Sequence, residues 1–273
     1  VKIWLDGALR DAATAQVSVL DHGLTVGDGV FETLKTVDGR PFALSRHLDR
    51  LSRSARGLGL PEPDLDEVRH ACAAVLAAEP MALGRLRITY TGGLSPLGSD
   101  RGEEAPTLVV ALGEAHPRPE TTAVITVDWP RNERGALAGL KTTSYAENVV
   151  ALARAREQGA TEALFANTVG ALCEGTGSNV FVVLDGELHT PPVSSGCLAG
   201  ITRALAAEWA GARETELPMD ALDRAEEIFL TSSLRDVQGV HRVDGRTLAA
   251  APGPVTTKAM RIFAERSAAD MDP

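Results

Sequence analysis

Lysine is scarce in this chain: among 27 basic residues only Lys2, Lys35, Lys141 and Lys258 are lysines, which leaves 23 arginines. Lys2 alternates with Ile3 and Leu5, and Lys258 lies on a helical repeat with Val255, Ala259, Ile262 and Phe263; both read as solvated surface residues. Lys35 shares the parity of Phe31 and Thr33 in a strand-like run, so it either lines a pocket or reaches solvent. Lys141 is different. It sits in Gly139-Leu140-Lys141-Thr142-Thr143-Ser144-Tyr145, at the end of a long loop and before a helix, where neither apolar periodicity nor an i,i+4 charge pair accounts for it. A lysine amine made nucleophilic by desolvation or a nearby cation can add to a carbonyl and form a Schiff base.

Such chemistry needs an acid and an anion site, and candidates for both exist. Glu174 is set in the apolar stretch Ala171-Leu172-Cys173-Glu174-Gly175, where an unpaired carboxylate would be costly; the alternative is a turn-edge glutamate in water. Gly200-Ile201-Thr202 opens a helix whose first N–H groups and dipole attract anions, a property shared by every helix start. Arg46, Arg50 and Arg53 share one helical stripe, either a solvated basic face or a set of guanidinium groups suited to phosphate.

Other chemistries are excluded by absent patterns. Neither Lys35 nor Lys141 follows glycine, so there is no Walker-type phosphate loop, and no G-x-S-x-G nucleophile elbow occurs. The six histidines are scattered, and Cys72, Cys173 and Cys197 lack CxxC spacing, which argues against a metal site or a disulfide framework. Gly175-Thr176-Gly177-Ser178 lacks the third glycine of a dinucleotide loop. A formal charge of -10 disfavours nucleic acid and anionic membrane, so an anionic ligand must meet a local basic site. The N-terminus turns polar at Asp6-Gly7 without a signal-like apolar core, and a reducing cytoplasm is the simple expectation.

The elements that must position these residues form an α+β arrangement without regular βαβ alternation. Short alternating segments at 3–5, 17–19 and 30–37 read as strands, helices follow Ser45 and Asp64, and strands over 86–90 and 108–112 flank a Gly/Ser/Pro-rich loop at 91–106. His116-Pro117-Arg118-Pro119 is stiff and extended. The expected organisation is a small N-terminal α+β domain over 1–115, a linker over 116–122, and a larger C-terminal domain over 123–273. The latter holds strands at 123–127 and 162–166, a helix over Tyr145–Gln158, a hairpin-rich stretch from Leu172 to Thr190, and helices at 202–210 and 255–266.

Taken in order, these residues resemble the class IV, fold-type IV family of pyridoxal 5′-phosphate (PLP) enzymes, which contains D-amino-acid and branched-chain aminotransferases and 4-amino-4-deoxychorismate lyases. The likeness is carried by Val26–Glu32, His47-Leu48-Asp49-Arg50-Leu51, Lys141, Glu174-Gly175-Thr176-Gly177-Ser178-Asn179-Val180-Phe181, Leu198–Arg203 and Thr231-Ser232-Ser233. It implies a two-domain fold with a smaller N-terminal domain and a larger, β-rich, PLP-binding C-terminal domain. It also implies Lys141 as the Schiff-base lysine and general base, and Glu174 against the pyridine nitrogen. Arg50, Ile201, Thr202 and Ser233 would lie about the phosphate, and Tyr145 near the phenolic oxygen. No metal is implied, the partner is a small-molecule amine, and family members are usually homodimers.

Two outcomes share the early steps: transamination, and release of pyruvate from aminodeoxychorismate to give 4-aminobenzoate. The candidate substrate pocket is Phe31, Thr33, Lys35 and the 91–106 loop. The loop lacks the arginine and histidine by which D-amino-acid aminotransferases grip a carboxylate, with Gly92 near the arginine position, and the Tyr-x-Arg-Pro element of the branched-chain enzymes is also missing. Arg101 is the available substitute. The missing grips, with Phe31-Glu32-Thr33 and Lys141–Tyr145, incline the reading to the lyase. An amino-acid aminotransferase and a non-catalytic binder of PLP or a phosphate ligand are the alternatives.

Overall fold

Alternation of apolar residues builds the first sheet. The computed structural model describes residues 1–273 and divides them into two units, the first comprising Val1–His116, Leu140–Tyr145 and Met271–Pro273 and the second Pro117–Gly139 and Ala146–Asp270. In the first unit β1 (Lys2–Leu5), β2 (Ala8–Asp11), β3 (Gly29–Val37), β4 (Arg40–Pro41), β5 (Leu83–Thr91) and β6 (Thr107–Glu114) form an antiparallel sheet in the order β2-β1-β6-β5-β3-β4. One face carries Trp4, Val30, Leu34, Leu86, Ile88, Val110 and Leu112, buried beneath α2 (Leu44–Leu58) and α3 (Leu65–Ala78), which follow the short α1 (His22–Thr25). Asp64 caps α3 by accepting from the N–H groups of Asp66 and Glu67. The opposite face bears Phe31, Thr33 and Lys35 on β3 against Thr89, Arg87 and Arg85 on β5.

The alternation at Val17 and Val19 does not make a strand. Both residues are exposed outside any ladder, and the early hairpin instead pairs β1 with Ala8–Asp11. A period-2 pattern specifies a strand only where a partner edge is available.

The second unit is built on a nine-stranded sheet. Its strands are β7 (Thr121–Thr126), β8 (Glu162–Ala166), β9 (Leu172–Gly175), β10 (Asn179–Leu184), β11 (Glu187–Thr190), β12 (Arg213–Glu214), β13 (Glu227–Ser232), β14 (Asp236–Val243) and β15 (Arg246–Thr247). The order is β12-β11-β10-β13-β14-β7-β8-β9, with β15 on β14; β7 lies parallel to both β14 and β8. Helix α4 (Ala146–Glu157) packs Ala151 and Ala155 against Ile125 and Phe165. Helices α5 (Ile201–Ala210) and α7 (Pro254–Ala269), separated in sequence by the short α6 (Ala221–Arg224), meet through Trp209 and Phe263, whose ring centroids are 5.2 Å apart.

Three boundaries differ from those the sequence suggests. The stiff stretch is shorter than 116–122, because Thr121 and Thr122 already pair with Gly239 and Val240 in β14. The span 123–273 is not one body either. Lys141 and its neighbours join the first unit through backbone bonds to β3, and the C-terminal tail does so where Ala43 N–H donates to Met271 O at 2.6 Å and Asp272 accepts from the backbone and hydroxyl of Ser45. No helix is long and apolar enough to cross a membrane.

Candidate active site

Lys141 is held by its backbone. The outer edge of β3 beyond β4 is unpaired at its start, and residues 141–143 fill it as a short antiparallel addition: Thr142 lies opposite Val30, Phe31 N–H donates to Lys141 O at 3.0 Å, and Thr143 N–H donates to Gly29 O at 2.8 Å. Lys141 N–H donates to Ser54 Oγ on α2 at 3.2 Å, and the hydroxyls of Thr143 and Ser144 donate to Gly27 O. Because residues opposite one another in an antiparallel pair share a face, this register puts Lys141 on the face of Phe31. Its Nζ lies 4.3 Å from the Phe31 ring centroid and 5.7 Å from that of Tyr145, and the two rings meet edge to face at 5.2 Å. The pocket candidate Phe31 and the cofactor candidate Tyr145 are thus gathered about the amine.

Of the arginine stripe, only Arg50 turns inward. Arg46 and Arg53 are exposed, whereas Arg50, His47 and Ser54 lie on the buried face of α2. Arg50 donates from Nε and Nη2 to the two oxygens of Glu32 at 2.8 and 2.7 Å, and Glu32 Oε2 also lies 2.6 Å from His47 Nδ1. Glu32 is fully buried. Desolvation acts to raise its pKa, but the Arg50 charge and hydrogen bonds together with His47 outweigh it and hold the carboxyl well below the usual range. Desolvation lowers the pKa of His47, so a neutral ring donates to Glu32. Sequence reasoning gave Glu32 and His47 no role of their own; the available signal was an acid on the parity of Val30 and Leu34.

Thr33 faces Arg87 across the strand pair, and Lys35 faces Arg85, with Lys35 Nζ 5.4 Å from the Phe42 ring centroid. Arg101, the expected substitute for a substrate grip, is committed elsewhere. Its Nε and Nη2 donate to Asp28 at 2.7 Å each, and Nη1 and Nη2 donate to the carbonyls of Gly59 and Leu58 at the end of α2. His22 completes the clamp: Nδ1 faces Asp28 at 2.8 Å and Nε2 faces Gly98 O at 3.0 Å. Both partners are acceptors, so the ring carries two N–H groups, and the hydrogen bond to Asp28 raises its pKa. Arg101 therefore ties the 91–106 loop to β3 and α2. Arg101→Ala is expected to cost about 1–2 kcal/mol, less than a fully buried pair because Arg101 is partly exposed, and to raise protease cleavage within 94–104, measurable by mass spectrometry of limited digests.

In the second unit Glu174 is half-buried on β9. Its Oε2 accepts from Leu198 N–H at 2.9 Å, and Oε1 lies 3.3 Å from Nε of Arg131, an ion pair whose angle is poor for a hydrogen bond. Arg131 in turn lies over Phe165 and donates to Glu147 and Asn148. The carboxylate is thereby oriented and supported as an anion, which the turn-edge reading would not require. Buried Glu162, to which the sequence drew no attention, accepts from Thr176 N–H and both the Thr176 and Ser178 hydroxyls, and so fixes the turn between Glu174 and β10.

Asn179 ties that turn to the next. Its Nδ2 donates to Leu198 O at 2.9 Å, and its Oδ1 would stand 2.0 Å from a Cβ placed on Gly200, so only glycine fits there. Gly200 precedes α5 without a side-chain cap, which leaves the first-turn N–H groups at Ile201 and Thr202 available to an anion. Asn179 also pairs with Thr231 near the end of β13, the first residue of the 231–233 stretch, in which Ser233 is half-buried in the turn. Thr231 Oγ1 is buried with no hydrogen-bond partner within the protein. Such an orphaned hydroxyl beside an uncapped helix start is what a bound phosphate group would satisfy.

A profile of the amino-transferase class IV family matches residues 29–243. The chain is 34% identical to a putative branched-chain-amino-acid aminotransferase of Methanocaldococcus jannaschii, over 91% of this chain and 90% of the relative. It is 33% identical to a bifunctional aminodeoxychorismate lyase / D-amino acid transaminase of Mycobacterium tuberculosis, over 92% and 93%. The solved structure of a hypothetical aminotransferase from Mycobacterium tuberculosis in a PLP-bound form superposes with a TM-score of 0.86 at 30% identity, covering 97% of this chain and 98% of that one. The extent of these matches leads to one assignment: the chain belongs to the class IV aminotransferases, PLP-dependent enzymes of fold-type IV.

Proposed function

We propose that this enzyme moves an amino group between an amino acid and a 2-oxo acid, with Lys141 as the residue that joins the cofactor and handles the proton at the substrate Cα. The observation that carries the reading is the placement of the Lys141 amine, fixed by backbone pairing to β3 and lodged against Phe31 and Tyr145. When bound, PLP supplies a carbonyl carbon for the amine and a conjugated ring that draws electrons from Cα. With the cofactor bound, the Lys141 amine would be the group that takes up and gives back the proton at the substrate Cα. Glu174, oriented by Leu198 and Arg131, holds a proton on the ring nitrogen. Ile201 and Thr202, through their backbone N–H groups, and Ser233 would hold the phosphate, and Arg50, whose orientation Glu32 fixes, would be its guanidinium partner. Tyr145 would serve the phenolic oxygen of the bound cofactor. Residues 123–273 supply most of this PLP-binding framework, and the enzyme works as a cytoplasmic homodimer.

The aminodeoxychorismate lyase reading is the second one, favoured by Phe31-Glu32-Thr33 and Lys141–Tyr145 and by the name of the bifunctional relative. The two separate in one assay. Purified enzyme loaded with PLP is given D- and L-amino acids with 2-oxoglutarate or pyruvate, and separately aminodeoxychorismate alone. Turnover that requires the 2-oxo acid, without pyruvate release from aminodeoxychorismate, is the expected result. Pyruvate release without amino transfer would make the enzyme a lyase, and a yellow protein inert in both would make it a non-catalytic binder.

A further inference from the structure

Asp28 is gripped from two sides by groups that the reaction does not use. Its buried carboxylate accepts from Nε and Nη2 of Arg101 at 2.7 Å each and lies 2.8 Å from Nδ1 of His22, the buried first residue of α1. Gly92 leaves room for it, since a Cβ there would stand 2.7 Å from Asp28 Oδ2. The stem of the 91–106 loop is knitted to residues 20–28 through the backbone: His22 N–H donates to Gly93 O, Ser95 N–H to Leu20 O and Gly92 N–H to Asp28 O. The tip is held differently. Between residues 96 and 104 the backbone makes no hydrogen bond to other backbone, and within the loop Gly102 N–H donates to Ser95 Oγ. What fastens this stretch to the rest of the protein is His22 Nε2 against Gly98 O at 3.0 Å, and Arg101 on Asp28, Leu58 and Gly59.

Asp28 also stands between the two carbonyls that hold the Lys141 segment. Gly27 O accepts from the hydroxyls of Thr143 and Ser144, and Gly29 O accepts from Thr143 N–H. The loop tip, His22, Asp28 and the strand bearing Lys141 therefore form one continuous run of contacts, and one member of it titrates in the neutral range. Both His22 nitrogens face acceptors, so only the doubly protonated ring satisfies both. A neutral ring must turn a lone pair toward either the Asp28 carboxylate or Gly98 O. The hydrogen bond to Asp28, then that to Gly98, raise the His22 pKa against desolvation and the nearby Arg101 charge. Asp21, the preceding residue, is engaged by Gly23 N–H and the hydroxyls of Thr91 and Thr107. Desolvation acts to raise the pKa of Asp28, but Arg101 and His22 outweigh it and keep that carboxylate ionised.

We propose that His22 and Asp28 are positioning residues that latch the tip of the 91–106 loop to the strand bearing Lys141, closed while the His22 ring carries both protons and released when it gives one up. The sign follows from a folded pKa above the ordinary one: the latch is complete below about pH 6.5 and is lost as the pH rises through the folded value. Once released, Asp28 keeps Arg101 but loses the imidazolium, and the carbonyls of Gly27 and Gly29 on either side of it hold residues 141–144 less firmly. The latch belongs to the chain itself and is independent of which amine the enzyme takes.

The test is amide hydrogen exchange read by mass spectrometry in residues 94–104 and 140–145, from about pH 6 to about pH 9.5, with rates corrected for the intrinsic effect of pH on exchange. It compares the parent, His22→Gln and Asp28→Asn, each with and without PLP. In the parent, exchange in 94–104 is expected to rise about tenfold across the His22 titration, as one charge-assisted hydrogen bond is lost, and exchange in 140–145 to rise over the same range. His22→Gln should show the raised level at every pH, because the amide has no proton to give up, and Asp28→Asn should do so in both segments. Residues 71–76, within α3, serve as the internal standard and should not change. A flat parental profile overturns the proposal, as does a pH-dependent rise that survives in His22→Gln, or an equal rise in 71–76, which would mark general loosening. Opening of 94–104 with 140–145 unmoved would leave the loop without a link to Lys141 and overturn the positioning role. The parental profile decides the matter by itself if a variant does not fold. A protein that takes up no PLP overturns the function proposed above and leaves this test intact.

Discussion

Lys141→Ala is expected to lower turnover about 10⁴-fold or more while leaving the protein folded. The separation of chemistry from stability follows from how the residue is held: its N–H to Ser54, its carbonyl to Phe31, and the flanking Thr142 bridge and Thr143 bonds are all independent of the side chain. What alanine removes is the amine over Phe31, a contact worth about 0.5–1 kcal/mol at a partly exposed site. The parent incubated with PLP should show a yellow band that borohydride bleaches, with retention of cofactor after denaturation; the variant should retain none. A small primary amine such as methylamine, added in solution, should restore part of the proton transfer in the variant. Near-parental turnover in Lys141→Ala would remove the lysine from the reaction, and no other lysine of the chain is placed against Phe31 and Tyr145.

The sequence was most legible where local rules decide the outcome. Asp64 as a cap and the Leu/Val repeat after it specify α3, and the alternation over residues 30–37 specifies β3 to within one residue. Lys141 could be singled out because nothing local explained it, and the family resemblance then supplied its role. What could not be read were properties that exist only once distant segments meet. Arg101 looked available for substrate because the sequence cannot show that Asp28, Leu58 and Gly59 surround it. Arg87 is not distinguished by sequence at all, and only the register Thr33 opposite Arg87, with Phe31 two residues away, reveals a guanidinium stacked on a ring without an acid. The same limit applies to Val17 and Val19, whose alternation was sound but had no edge to join. Among the arginines at 46, 50 and 53, the helical stripe was read correctly as a pattern, but which of them faces the sheet depended on a partner, Glu32, on another element.

That partner provides the largest expected stability effect. Glu32→Gln keeps the shape of the side chain but leaves Arg50, only 5% exposed, without its counter-charge, and also weakens the bond from His47. Removing one member of a buried ion pair costs about 3–5 kcal/mol because the remaining charge stays desolvated. For a chain of this size that corresponds to a fall in Tm on the order of 10 °C in a thermal scan of the two proteins. The pH dependence has a definite sign. The folded pKa of Glu32 is depressed, so its contribution is complete above the ordinary carboxylate value and is lost as the pH falls toward the folded one. The Glu32 contribution to the gap between parent and variant should therefore be complete at neutral pH and begin to be lost below about pH 4.5, at up to about 1.4 kcal/mol per pH unit. His47, whose folded pKa is also lowered, makes both proteins less stable below about pH 6.5, and the variant more so because it lacks the Glu32 charge and hydrogen bond that favour the protonated ring; the gap therefore widens first as the pH falls below about 6.5 and narrows only once Glu32 is protonated. A gap that stays constant from pH 7 to pH 3 would mean that Glu32 is not ionised in the folded protein, and Arg50 would then owe its orientation to something other than this carboxylate.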